Sequence, residues 1–356
     1  MKKIIAILLL SLNICSANFI NPTSIFTTQE KNQELLIIVN YSNIINFKDI
    51  ISIKKLKGGT TKQVPLLIIT NNNHFVFKEI SYDDAEYIVN FQIKLYNKGI
   101  KTPQIYKTNS EEYVLRDKGK AYYLMDYLES DSFEFHKSYF NKIGTLAARI
   151  NNINYSPEYS RTYKDRLDIL ESKYSVLKKY KVLNAQYKIF KRNWIKLSPK
   201  FVKSNIHNDL HIMNVLFKNN EISTVIDYDI AQYYPRIVEC NATFFSHNKG
   251  VTFYSKENVL EYLKAYQLEA EIIFSYAEML GILEIIRSRM LENAYNAITF
   301  ENHRIDERME EIKGFIKDEK WFIKEIKSLV VIHFKTKFNV LLPYSFITNQ
   351  NIMEAV

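Results

Sequence analysis

His207-Asn208-Asp209-Leu210-His211-Ile212-Met213-Asn214, with Val225-Ile226-Asp227-Tyr228-Asp229 after it, decides how this chain is read. Asp209 is a carboxylate followed five residues later by the Asn214 amide. Asn214 to Phe217 and Ile222 to Ile226 are apolar runs, and Lys218-Asn219-Asn220-Glu221 between them is turn-forming. The pattern predicts a β-hairpin that brings Asn214 and Asp227 over one site. An Asp and an Asn at this spacing are common by chance, and polar residues often end strands. Here the flanking apolar runs and the turn agree with them. Together they supply what phosphoryl transfer requires: one carboxylate to orient an attacking hydroxyl, and an amide and a second carboxylate to hold a divalent cation.

The remainder of the chain is compatible with that chemistry. Its 356 residues allow one large domain or two lobes with a substantial core. With 47% hydrophobic and 24% charged residues it belongs to the folded, globular class. Only 8 glycines are present, and neither a P-loop nor a dinucleotide fingerprint occurs. The net charge of +9 suits an anionic partner, but Lys and Arg interleave with Asp and Glu along the chain. That spread favours solvated helix faces over a nucleic-acid surface. Two cysteines, Cys15 and Cys240, exclude a disulfide framework and a Cys-rich zinc site.

The N-terminal part reads as strands around one helix. Ile51 to Leu56, Val64 to Thr70 and Phe75 to Ile80 are strand-like, and the alternation puts Lys78 on a face with Val76 and Ile80. A helix follows, with Ser81 as the expected N-cap, Glu86 in its first turns, an apolar stripe of Ile88, Phe91 and Leu95, and Gly99 at its end. Tyr113 to Leu115 and Ala121 to Met125 add two strands. Beyond Asp131 the pattern is mostly helical: Phe140 to Ile150, one or two helices in Leu167 to Trp194, then Glu257 to Tyr266, Glu269 to Met279, Ile282 to Ala297 and Ile305 to Ile326. The fold class expected is α+β and two-lobed. Residues 18–125 form the smaller antiparallel-sheet lobe, 126–129 the connection, and 130–356 the larger, mostly helical lobe. Residues 1–17, with a charged start, an apolar run and Cys15-Ser16-Ala17, have the shape of a secretory signal peptide. Export is the expectation from it; an N-terminal strand or helix of a cytoplasmic protein is the alternative.

HNDLHIMN followed by VIDYD resembles the catalytic core of the aminoglycoside phosphotransferase and choline/ethanolamine kinase superfamily, a relative of the protein kinase fold. The continuation through Arg236, Glu239, Asn241 and Phe244 is similar to the choline/ethanolamine branch, with Glu239 where that family more often has Asp. The resemblance implies ATP and Mg2+ as cofactors and a hydroxyl of a small molecule as acceptor. It implies Asp209 as catalytic base and Asn214 and Asp227 as magnesium ligands. It implies Lys78 on the ATP phosphates, Glu86 paired with Lys78, and the Gly58-Gly59-Thr60 turn over the phosphates. Met125 and Tyr127 would belong to the hinge that meets adenine. His207 would fix the backbone of the catalytic loop. His211 could face substrate, and Asp229 could assist a second metal or simply end a strand.

Choline or ethanolamine is the acceptor the resemblance names first. Aminoglycoside, homoserine and thiamine kinases share the fold, and an exported effector acting on a host target is a further reading. An aromatic cage for a quaternary amine would draw on the 25 Tyr and 22 Phe, with Trp194 and Trp321 isolated from each other. An acidic pocket for a polycation would draw on Glu269, Glu271, Glu278, Glu284 and Glu292, which are also spaced like ordinary solvated helix faces. No stable membrane span is expected, and the sequence does not fix an oligomeric state.

Overall fold

The computed structural model describes residue 33 and residues 36–56, 64–131, 138–155, 165–245 and 254–338. The leader and the Gly58-Gly59-Thr60 turn lie outside the described residues. Strands β1 (Ile50–Lys55), β2 (Leu66–Thr70) and β3 (His74–Ile80) precede helix α1 (Ala85–Asn97). After it come β4 (Ile105–Tyr106), β5 (Leu115–Asp117) and β6 (Lys120–Asp126). All pairings among these strands are antiparallel, in the order β1-β2-β3-β6-β4 with β5 on β6. Lys118 and Gly119, both at positive φ, turn β5 into β6.

The two faces of β3 carry different cores. Phe75 and Phe77 pack with Tyr122, Leu124 and Ile68 on one side. Val76 and Ile80 pack with Ala121, Tyr123, Met125 and the α1 residues Ala85 and Val89 on the other. Lys78 is in register with Tyr123 on that second face, as the alternation predicts. Helix α1 starts at Ala85 with Asp84 as its N-cap, not at Ser81. Its stripe of Ile88, Phe91 and Leu95 is buried in the larger, helical core, so α1 joins both parts of the molecule.

That larger part contains α2 (Tyr139–Asn151), α3 (Arg166–Glu171), α4 (Tyr174–Leu177) and α5 (Lys181–Leu197). It continues with β7 (Lys203–Ile206), the hairpin β8 (Val215–Lys218) and β9 (Glu221–Val225), β10 (Gln232–Pro235) and α6 (Cys240–Thr243). It closes with α7 (Lys256–Glu269), α8 (Tyr276–Phe300) and α9 (Ile305–Phe338). The molecule is thus α+β, with an antiparallel-sheet N-terminal region and a larger helical C-terminal part. Among the described residues no helix is long and apolar enough to cross a membrane.

Three expectations need correction. Glu269 to Met279 is not one helix: α7 ends at Glu269, and Ser275 starts α8 with a reciprocal capping box to Glu278. α8 then runs unbroken to Phe300, because nothing between Met279 and Ile282 interrupts the helical hydrogen bonds. The Leu167 to Trp194 stretch is three helices, and the two-residue-long β4 escaped notice, being too short for a period to show.

Candidate active site

Three backbone elements converge here. The β8–β9 hairpin turns at Asn219 and Asn220, both at positive φ as a two-residue loop demands. Its open end is closed by the Ile226 N–H donating to the Asn214 carbonyl at 2.9 Å. Asn214 and Asp227 therefore stand at the same end of the ladder. β7 delivers the chain into the loop His207 to Asn214, and β3 brings Lys78 from the other core. Asn208 and Asp227 hold φ of 65° and 67°, a left-handed conformation that non-glycine residues rarely adopt.

Lys78 is the point where these elements meet. Its Nζ lies 2.6 Å from Asp227 Oδ1 and 2.7 Å from Asp229 Oδ1. The lysine side chain is 10% exposed while that of Asp227 is 44% exposed, so the cation is rooted in the core and the carboxylate opens to solvent. Burial works against the ammonium charge, but Tyr123, Asp229 and Asp227 outweigh it and hold the lysine protonated above its usual range. Asp229, left open by the sequence, is thus a full member of the cluster.

Asp209 faces the amide side of the site. Asn214 Nδ2 donates to its Oδ2 at 2.9 Å and to its backbone carbonyl at 3.0 Å. His211 Nε2 lies 3.5 Å from Oδ1. Burial pushes the carboxyl pKa up, yet His211, His207 and Asn214 together bring it below the ordinary aspartate value. The group is ionised at neutral pH, as a hydroxyl acceptor must be. With its nitrogen engaged by Asp209, the Asn214 amide has its carbonyl oxygen as the atom able to ligate a cation.

The loop backbone is held from beneath. His207 is fully buried; its Nδ1 accepts from the Asp209 N–H and its Nε2 meets the Ile226 carbonyl at 2.9 Å. Burial lowers its pKa, which fits a neutral ring donating through Nε2. Glu239 accepts from the His207 N–H at 2.6 Å and from the Asn208 N–H at 3.0 Å. Burial lifts Glu239 to about 8, against the pull of those two N–H groups. Arg236 forms a buried two-point pair with Glu278 and also donates to the Ile272 and Ile273 carbonyls. It ties the segment carrying Glu239 to α8.

The expected Lys78–Glu86 pair does not form. Glu86 is 58% exposed and pairs with Arg116 at 2.8 Å, because the helix phase turns Ala85 and Val89, not Glu86, toward the lysine face of the sheet. Met125 lies in the sheet, in register with Val76 and Ile105. The Tyr127 N–H donates to the His74 carbonyl at 3.0 Å, so that amide is engaged within the sheet rather than offered to a base. Four of the five acidic-pocket residues are also paired. Glu269 pairs with Arg149, Glu278 with Arg236, Glu284 with Arg287, and Glu292 with Arg166. Trp194 is buried and donates to Asp165, and Trp321 lies under Lys256, so neither begins an aromatic cage.

The donor set can be tested against a divalent cation. Asp227 and Asn214 offer oxygen, the ligand type for a hard ion. Among the described residues no group of three His, Cys, Asp or Glu could hold a metal alone. Magnesium keeps several waters and is commonly held by one or two carboxylates together with phosphate oxygens, so the sparse set fits an ion that arrives with a nucleotide.

The profile of the phosphotransferase enzyme family matches residues 52–280, more than half of the chain. The chain belongs to that family. A search of curated proteins finds no match. Solved structures share the fold at low identity. A spectinomycin phosphotransferase in complex with ADP and spectinomycin has a TM-score of 0.54 at 17% identity, over 81% of this chain and 93% of that one. An amicoumacin kinase in complex with AMP-PNP and Ca2+ has 0.57 at 13%, over 80% and 93%. A microcompartment-associated aminopropanol kinase has 0.56 at 13%, over 77% and 93%. Family membership makes this chain a phosphotransferase, and the shared fold agrees with it.

Proposed function

We propose that this phosphotransferase moves the γ-phosphoryl group of ATP to a hydroxyl of a small molecule. The observation that carries the reading is the convergence of Lys78 with Asp227 and Asp229 beside the Asp209–Asn214 pair. In this reading the acceptor hydroxyl donates its hydrogen bond to Asp209, and the proton passes there as the new phosphorus–oxygen bond forms. Lys78 meets the phosphates, for which its two carboxylate partners hold it extended and charged. Asn214 and Asp227 would hold Mg2+, which supplies charge neutralisation on the phosphate oxygens. Catalysis rests on positioning and charge, not on a strained pKa. Choline and ethanolamine, and the aminoglycoside, homoserine and thiamine alternatives, form the first acceptor panel.

The test is ADP release on that panel with Asp209→Asn alongside. Turnover in the variant should fall by about 10²–10⁴, the usual contribution of a positioned base, with ATP affinity retained. Undiminished turnover in Asp209→Asn would remove Asp209 from the chemistry.

A further inference from the structure

His211 stands inside the loop that carries Asp209, and its two ring nitrogens face different partners. Nδ1 accepts from the Met213 N–H at 3.1 Å and so caps the short 3-10 turn Ile212–Asn214. A neutral imidazole that accepts through Nδ1 carries its proton on Nε2. That Nε2 lies 3.5 Å from Asp209 Oδ1. The other carboxylate oxygen, Oδ2, accepts from Asn214 Nδ2 at 2.9 Å, and the same nitrogen donates to the Asp209 backbone carbonyl at 3.0 Å. Nε2 also comes within 3.4 Å of Asn214 Nδ2, but both hydrogens of that amide are already placed on Asp209. The histidine side chain is 14% exposed and that of Asp209 is 31% exposed, so the ring is largely enclosed while the carboxylate opens to solvent.

A carboxylate held through one oxygen can still turn about its Cβ–Cγ bond, and a base works only when its lone pairs are aimed at the reacting hydroxyl. Capping the turn occupies Nδ1 alone; the Nε2 edge is the one that reaches Asp209. We propose that His211 is a positioning residue for phosphoryl transfer: its Nε2–H, with Asn214 Nδ2 on the opposite oxygen, fixes the plane of the Asp209 carboxylate and leaves the second lone pair of Oδ1 to the acceptor hydroxyl. This rests on the phosphotransferase reading above and deepens it. His211 acts through Asp209 and takes no proton itself. At 3.5 Å the contact is longer than a good hydrogen bond, and contacts of this kind to a catalytic base commonly tighten in the complex with substrate.

Two substitutions separate the two ring nitrogens. His211→Asn keeps an oxygen for the Met213 N–H, but its side chain stops short of Asp209 Oδ1. His211→Gln carries an amide nitrogen about as far as Nε2 and gives up the cap. ADP release by the full chain with ATP and Mg2+ is measured for both against wild type, with the fastest acceptor of the panel or, where none stimulates, with water. In His211→Asn kcat should fall about ten- to a hundredfold, the scale of a misplaced reacting group. His211→Gln should recover most of that loss, and the KM for ATP should hold in both. A wild-type rate in His211→Asn with a loss in His211→Gln reduces the histidine to a turn cap and overturns the inference. So does an equal loss in both, or an effect confined to the acceptor KM, which would put His211 on the substrate instead. Ring nitrogen NMR shifts at mildly alkaline pH, assigned by the signals missing in His211→Gln, need no turnover: a proton on Nε2 is expected, and a proton on Nδ1 overturns the inference. A wild-type chain that releases ADP no faster than Asp209→Asn strikes instead at the phosphotransferase reading.

Discussion

Lys78 carries most of what can be tested at single residues. Its ammonium is bound to two carboxylates from another part of the chain, so removing it would delete the phosphate contact proposed for it and leave Asp227 and Asp229 without that shared cation. Lys78→Met should weaken ATP binding by about tenfold or more, read by calorimetry in the presence of Mg2+; unchanged affinity would mean that the lysine only neutralises its partners. The surface pair Glu86–Arg116 is of another kind, worth about 1 kcal/mol at most. Glu239 acts through the loop above it. Glu239→Gln keeps the volume but puts an amide where two N–H groups converge, so kcat should fall while the KM for ATP holds, since the loop carries Asp209 and not the phosphate contacts.

At the scale of elements, close approach decides the sign of a substitution. α2 crosses α7 at Gly144, where a Cβ would stand 2.3 Å from the Tyr262 carbonyl oxygen. Gly144→Ala should destabilise the fold by about 1–3 kcal/mol. Gly314 in α9 meets nothing within 4 Å. Gly314→Ala should therefore stabilise by up to about 1 kcal/mol. Thermal unfolding of the two variants, moving in opposite directions, checks both. The elements themselves were legible where a period could repeat: the alternation in β3 placed Lys78 on its face, and the paired asparagines placed the turn of the β8–β9 hairpin. Helix ends were less legible. Ser81 looks like a cap, but the helix takes Asp84, and the break at 270–275 is set by the capping box at Ser275, not by any glycine or proline.

Across the whole molecule, stability should depend on pH through three buried groups. Glu239, raised to about 8, keeps its proton in the folded chain when the unfolded chain has lost it, so stability falls as pH rises from the ordinary glutamate range toward 8. Glu292, lowered to about 2, gives the opposite sign: its contribution is present above the ordinary value and is lost as pH falls toward 2. His207, lowered by burial, adds a loss as pH falls below the ordinary histidine value. Denaturant unfolding across pH should show a dome whose alkaline limb flattens in Glu239→Gln. The site was legible to the same degree as its chain spacing was short. Asp209, Asn214 and Asp227 lie within one hairpin and its loop, whereas Arg236 and Glu278, which brace the segment carrying Glu239, meet only through packing on α8, and no local pattern announces the pair. Glu86 shows the converse, a residue in the right sequence neighbourhood turned away by one step of helix phase.

The central claim is that the cluster of Lys78, Asp227 and Asp229 beside Asn214 is a nucleotide cleft that works with a divalent cation. Calorimetric titration of ATP onto the wild-type chain and onto Asp227→Ala, each with Mg2+ and with EDTA, tests it most directly. The account predicts binding by the wild-type chain that needs Mg2+ and is lost in Asp227→Ala. Equal binding by both chains, or none by the wild type, would contradict it.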